Sequence, residues 1–228
     1  MESFCPVRIM RALLIPIKDP LNAKTRLAEV LSEEERRRFA WAMFEDVSQA
    51  IAGAQKPDRV FLVTNFAPAI ERGRKQGWDV LTEQSQISES ESVDWASRVL
   101  AERGFDTVMR LPADLPLVRA EDIEEILSIE VDSPGALLVP SREGSGTNAI
   151  VRRPPTLFPS RFGPNSLHLH KQEATRIGVE CVIVNNNRIG LDIDEPTDLE
   201  ALIKEGSGTR AVAVLSQMRV VERLCLKR

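Results

Sequence analysis

Three observations predict an α/β protein built on a mostly parallel sheet with helices on both faces. Strand-like apolar runs alternate with helix-period segments from the first residues onward, the order that a sheet covered on both faces requires. The first run, RALLIPI (Arg11 to Ile17), is apolar almost without interruption, as a strand buried on both sides must be. The 228 residues contain neither an internal repeat nor a convincing linker, so one domain is the expectation.

The elements follow in order. After the first strand comes a loop, KDPLNAKTRLAEVL, and then Ser32 with Glu35 three residues on, a capping box that opens a helix. That helix carries Phe39, Ala42, Met43, Val47, Ala50 and Ile51 at helical spacing. RVFLVTN (Arg59 to Asn65) reads as a second strand, and Pro68 suits the first turn of the next helix. WDVL (Trp78 to Leu81) is a short third strand, TEQSQISESES a polar loop, and Val93, Ala96, Val99 and Leu100 mark a helix. TVMRL (Thr107 to Leu111) is a fourth strand ending at PADLP, and a helix over about Ala120 to Ile129 leads to a fifth, GALLVP (Gly135 to Pro140). REGSGTNAIVRRPP reads as a glycine loop entering a strand, and PSRFGPNSLHLH as a loop entering a helix. ECVIVNN (Glu180 to Asn186) is a further strand, and LDIDEPTDLEALI a loop opening a helix. Met10 directly precedes the first strand, so residues 1–9 are expected to be an extension, 10–205 the domain, and 206–228 a C-terminal extension holding an added helix.

Composition narrows the function. A chain 43% hydrophobic and 28% charged is ordinary for a folded soluble protein. A net charge of −4 argues against nucleic acid as the main partner, because phosphate backbones recruit basic surfaces. Cys5, Cys181 and Cys225 have neither zinc-type nor disulfide-framework spacing, so reduced thiols in a cytoplasmic protein are expected. No apolar run approaches the ~20 residues of a membrane span. MESFCPVRI lacks the apolar core of a signal peptide.

Ligands of open α/β sheets bind beyond the carboxyl ends of the strands, which directs attention to the loops. Lys18, Lys24 and Arg26 fall within nine residues after the first strand. Such a loop can answer a triphosphate, although it can equally be a solvated basic turn, and it lacks the glycines of a Walker loop. Asp114 in LPADLP follows the fourth strand, where a carboxylate can hold Mg²⁺ or simply cap a turn. Asp192 and Asp194 in LDIDEP are two apart; in an extended segment both can face one cation, unless Asp194 or Thr197 caps the following helix. Asp192 is the preferred partner of Asp114. GSGTNAI (Gly144 to Ile150) and FGPNS (Phe162 to Ser166) combine open backbone with hydroxyls, and together they suggest a second anion site, with Ser166 a candidate helix cap. His168 and His170 do not share a helix face, which makes packing their default role. The acidic stretch Glu83 to Asp94 reads as solvated, although it follows the third strand.

The ordered set P-I-K-x-P-x-x-A-K-T-R-L, P-A-D-L-P, G-x-G-T-N-A, F-G-x-x-S-x-x-x-H and L-D-I-D-E-P-x-D-L, spanning about Arg11 to Leu202, resembles the 2-phospho-L-lactate guanylyltransferase family. Its bacterial members use phosphoenolpyruvate, and its pathway makes coenzyme F-420. The resemblance implies a Rossmann-like, nucleotide-diphospho-sugar transferase-type three-layer sandwich, with GTP and a phosphorylated three-carbon acid as substrates and Mg²⁺ as cofactor. It puts the acid at Thr147, Gly163 and Ser166, and the metal at Asp114 and Asp192 with Asp194 as helper. The triphosphate faces Lys18, Lys24 and Arg26, and Asp114, Asp192 and Lys24 form the catalytic set, in a monomer or homodimer. SESESVDWA (Ser88 to Ala96) stands where the family usually has a glycine-leucine-asparagine segment, so another acid, such as 3-phosphoglycerate, stays open.

Overall fold

The computed structural model describes residues 9–20, 24–85 and 87–225. Residues 1–8 with Cys5, the loop positions 21–23 and the side chain of Cys225 lie outside the described residues, along with the expectations that rest on them. The strands are β1 (Arg11–Pro16), β2 (Arg59–Val63), β3 (Asp79–Leu81), β4 (Thr107–Arg110), β5 (Gly135–Pro140), β6 (Thr147–Arg153) and β7 (Cys181–Ile183). The helices are α1 (Glu33–Gly53), α2 (Ala67–Lys75), α3 (Glu89–Glu102), α4 (Ala120–Ser128), α5 (Ser166–Arg176), α6 (Pro196–Glu205), α7 (Arg210–Gln217) and α8 (Val220–Cys225).

The sheet runs β3-β2-β1-β4-β6-β5-β7. β6 pairs antiparallel with β4 and with β5, and every other pairing is parallel. From β1 the chain winds outward through β2 and β3, then returns to place β4 on the other side of β1. The loops after β1 and β4 therefore part in opposite directions and leave a crevice between them, the usual ligand position in such sheets. Because β6 runs the other way, its first residue, Thr147, comes to the same edge.

Burial explains the uninterrupted apolar reading of β1. Leu13 and Ile15 pack with α1 residues Phe44, Val47 and Ile51 on one face, while Ala12 and Leu14 pack with Val93, Ala96 and Leu100 of α3 on the other. Each fully buried leucine contributes about 1.5–3 kcal/mol. A further cluster joins Phe39 and Met43 of α1 to Leu199 and Leu202 of α6, Ala211 and Leu215 of α7, and Val220 of α8.

Several local expectations change. α3 begins at Glu89, with Ser88 accepting from the Glu91 N–H at 3.1 Å, so the ESES residues form its first turn rather than a loop. The N-cap of α5 is Asn165, left-handed at φ 57, and not Ser166, which is the first helical residue. Neither Asp194 nor Thr197 caps α6: the carboxylate of Asp198 accepts from the N–H groups of Asp194 at 3.0 Å and Glu195 at 2.8 Å. The segment after Gly206 forms two helices instead of one. No helix among the described residues is long and apolar enough to cross a membrane.

Candidate active site

A cleft of about 310 Å³ opens at the carboxyl ends of β1 and β4. Lys18, Lys24, Trp41, Phe44, Arg110 and Asp114 are among its walls. Lys24 sits in the left-handed region at φ 54, just before a short 3-10 turn at Thr25–Leu27. A non-glycine residue there costs about 1–3 kcal/mol and persists only where its surroundings hold it. Here the side chain supplies the hold, since the Lys24 ammonium donates to Asp114 Oδ2 at 2.6 Å and to Asp194 Oδ1 at 2.7 Å. Burial works against this ammonium, yet the two carboxylates outweigh it and keep the lysine above its ordinary value.

The two acidic loops meet directly. The Ile193 N–H donates to the Asp114 carbonyl at 3.4 Å, joining LPADLP to LDIDEP. Burial would raise the pKa of Asp114, but the charge and hydrogen bond of Lys24, helped by the charge of Arg110, bring it below the usual aspartate value. Its second oxygen, Oδ1, is buried without a hydrogen-bond partner. Asp192 moves the other way: burial first, and the negative charge of Asp114 next, raise it, although Asn148 Nδ2 donates to its Oδ1 at 3.0 Å. Asp114 is joined through Lys24 to Asp194 and not to Asp192, the partner expected; Asp192 feels the charge of both carboxylates but is not among the cleft walls.

An orphaned carboxylate oxygen beside carboxylates that repel one another is a donor set suited to an oxygen-seeking dication. Among the described residues no group of three or more His, Cys, Asp or Glu side chains is arranged to hold a metal ion, so a dication here would have to rest on one or two carboxylates together with waters and substrate phosphates. Of the other basic residues, Lys18 lines the cleft and is exposed. Arg26 is 65% exposed in its side chain, 3.6 Å from Glu195, and outside the cleft walls.

The second loop pair forms a separate cradle. Leu167 N–H donates to the Ser145 carbonyl at 3.0 Å, which ties the GSGTNA loop to α5. Gly163 has φ 125, a conformation open to glycine and strained for other residues. Ser166 and Thr147 are both buried. His170 Nε2 accepts from the Arg161 N–H at 2.8 Å, so its proton is on Nδ1, which donates to Thr147 Oγ1 at 3.0 Å. The threonine thereby keeps its own hydroxyl proton to offer an anion. Burial, followed by the charges of Arg152 and Arg110, pushes His170 down to about 3, which keeps the ring neutral.

Sequence reasoning missed the polar network between the cleft and this cradle. The stretch expected to be solvated is engaged: Glu89 pairs with Arg110, and Asp94 accepts from Arg152 at 2.9 Å and from the Ser160 hydroxyl at 2.7 Å. The available signal was a charged residue inside an otherwise apolar strand, Arg110 in TVMRL. Such residues are buried only when paired.

A largely parallel sheet with one reversed strand thus brings a cationic loop after β1 and a carboxylate after β4 to one cleft. A nucleotide-diphospho-sugar transferase from Desulfovibrio desulfuricans G20 superimposes with a TM-score of 0.76 at 18% identity, covering 95% of this chain and 99% of that one. That likeness is one of fold. The chain matches the family described as "Guanylyl transferase CofC like" over residues 10–223 and belongs to it. It is 33% identical over 195 residues to a phosphoenolpyruvate guanylyltransferase of Rubrobacter xylanophilus, covering 86% of this chain and 93% of the relative. It is also 30% identical over 206 residues to a 2-phospho-L-lactate guanylyltransferase of Methanothermobacter thermautotrophicus, covering 90% of each.

Proposed function

We propose that this nucleotidyltransferase joins the GMP part of GTP to a phosphorylated three-carbon acid, phosphoenolpyruvate or 2-phospho-L-lactate, and releases pyrophosphate as a step in coenzyme F-420 biosynthesis. The observation that carries the reading is the convergence of Lys24, Asp114 and Asp194 at the crevice between β1 and β4. Triphosphate chemistry needs concentrated charge of both signs at such a place.

In the proposed reaction a phosphate oxygen of the acid attacks the α-phosphorus of GTP. The new P–O bond forms as the bond to the β-phosphate bridge oxygen breaks, and pyrophosphate leaves with that electron pair. The attacking oxygen is already ionised at neutral pH, so no protein base has to take a proton. The protein's part is positioning and charge neutralisation. Lys18 and Lys24 would face the triphosphate, with Arg26 an outer contact. Asp114 and Asp192 would hold Mg²⁺ with Asp194 assisting, and the ion would neutralise charge on attacking and leaving oxygens. Thr147, Gly163 and Ser166 would cradle the acid, and the protein would work in the cytoplasm.

A nucleotide panel of GTP, CTP and ATP, crossed with phosphoenolpyruvate, 2-phospho-L-lactate and 3-phosphoglycerate, tests this by pyrophosphate release. Release is expected with GTP and one of the first two acids, only when Mg²⁺ is present. Preference for CTP, or release that needs no acid, would overturn it.

A further inference from the structure

Arg110 ends β4 only 5% exposed, yet it lines the cleft. Its Nη1 donates to the Asn148 carbonyl at 3.0 Å and reaches the Thr147 carbonyl at 3.5 Å. The guanidinium carbon lies 4.1 Å from the centre of the Phe162 ring, beside the FGPNS loop. Nε is buried without a partner, and Nη2 donates to the carboxylate of Glu89. This cation therefore stands between Asp114, whose acidity it strengthens, and the cradle of Thr147, Gly163 and Ser166.

The cradle itself supplies hydroxyls and backbone but no charge, while a phosphorylated acid brings a carboxylate in addition to its phosphate. Other guanidinium groups nearby are committed. Arg152 is fully buried against Asp94, Ser97 and the Phe158 carbonyl, and Arg161 donates twice to Glu173. Arg110 instead has a replaceable partner, because the Glu89 side chain is 36% exposed and starts a helix at the cleft rim. A planar guanidinium recognises carboxylates as a class, so a substrate carboxylate can take the place of the glutamate with the same chemistry.

We infer that Arg110 receives the carboxylate of the acid substrate, and that Glu89 holds the same guanidinium until the acid displaces it. The pair is then a specificity device: the arginine selects for a carboxylate, and the glutamate weakens every acid that cannot compete for it. Apparent affinity falls by the fraction of protein whose arginine is free. This inference rests on the guanylyltransferase reading above, since it needs an acid acceptor.

The test is steady-state pyrophosphate release from GTP, Mg²⁺ and the preferred acid, with both Michaelis constants measured for wild type, Arg110→Gln, Arg110→Lys and Glu89→Gln. Arg110→Gln is expected to raise KM for the acid about tenfold or more, the loss of one charge-assisted hydrogen bond, with KM for GTP little changed. Arg110→Lys should recover part of the loss, and Glu89→Gln should lower KM for the acid below the wild-type value. A carboxamide analogue of the acid should be discriminated against by wild type and hardly at all by Arg110→Gln. If wild type turns over but Arg110→Gln keeps its acid KM, or loses acid and GTP affinity equally, the carboxylate assignment fails alone. If wild type releases no pyrophosphate with any acid, that assignment and the guanylyltransferase reading fail together.

Discussion

His170 shows how a residue without a catalytic part can still set the pH range of the protein. Its ring is wedged between Phe158 and Phe162 with centroids at 6.3 and 5.1 Å, and both nitrogens are engaged. Burial and nearby guanidinium groups lower it from 6.5 to about 3. An unfolded histidine takes up a proton below about 6.5 while the folded one does not, so this contribution is complete above that pH and is lost as pH falls toward 3. Stability should therefore drop by up to about 1.4 kcal/mol per pH unit. Glu35, held down to about 2 mainly by its hydrogen bond to Arg223, begins to lose its own contribution only below 4.5. Melting curves between pH 6.5 and 4.5 should be steeper for wild type than for His170→Asn; parallel curves would count against this account. In the sequence, His170 was legible as a packing residue and no more, because its link to Thr147 spans 23 positions and depends on tertiary placement. Strand ends and residue types sufficed to nominate Lys24, Asp114 and Asp194, which the structure joins; Arg26, nominated the same way, stands outside the cleft. Arg110 and Glu89 were not legible, since a charge looks solvated until its partner is known.

At the scale of elements, one capping box was readable from its local pattern, whereas the local caps of α3, α5 and α6 were not. The Ser32–Glu35 box forms as expected, with Glu35 N–H to Ser32 Oγ at 3.3 Å and Ser32 N–H to Glu35 Oε2 at 2.9 Å. α7 has a local cap, Thr209 Oγ1 accepting from the Val212 N–H at 3.2 Å, and a distant one: Asp46, far back on α1, accepts the N–H groups of Arg210 and Ala211, each at 2.8 Å. Burial raises the pKa of Asp46 despite these bonds, and 164 residues separate it from Arg210. No window of sequence could reveal that cap. Asp46→Ala leaves those first-turn donors unpaired and should cost about 1–3 kcal/mol, read as a lower melting temperature. A melting temperature equal to wild type would mean that water replaces the carboxylate without loss. The start of α3 was misplaced for a related reason: its first turn is polar because it faces the cleft rim, so apolar periodicity begins only at Val93.

For the whole molecule, alternation of strands and helices was enough to give the α/β class, whereas strand order was not. Inserting β6 antiparallel between β4 and β5 depends on long-range pairing, and it is this insertion that delivers Thr147 and Asn148 to the edge carrying Asp114. The helices after Gly206 share a core with α1 and the 3-10 turn following Lys24, so the far end of the chain supports the loop that holds the cation. The same architecture makes Asp114 the point where both acidic loops and the basic loop meet. The most direct measurement is therefore the turnover number of Asp114→Ala for pyrophosphate release at saturating GTP, acid and Mg²⁺, taken with its circular dichroism spectrum. The account predicts loss of turnover by about a thousandfold, the scale at which positioned electrostatic groups act, with the fold retained. Turnover close to wild type would contradict it.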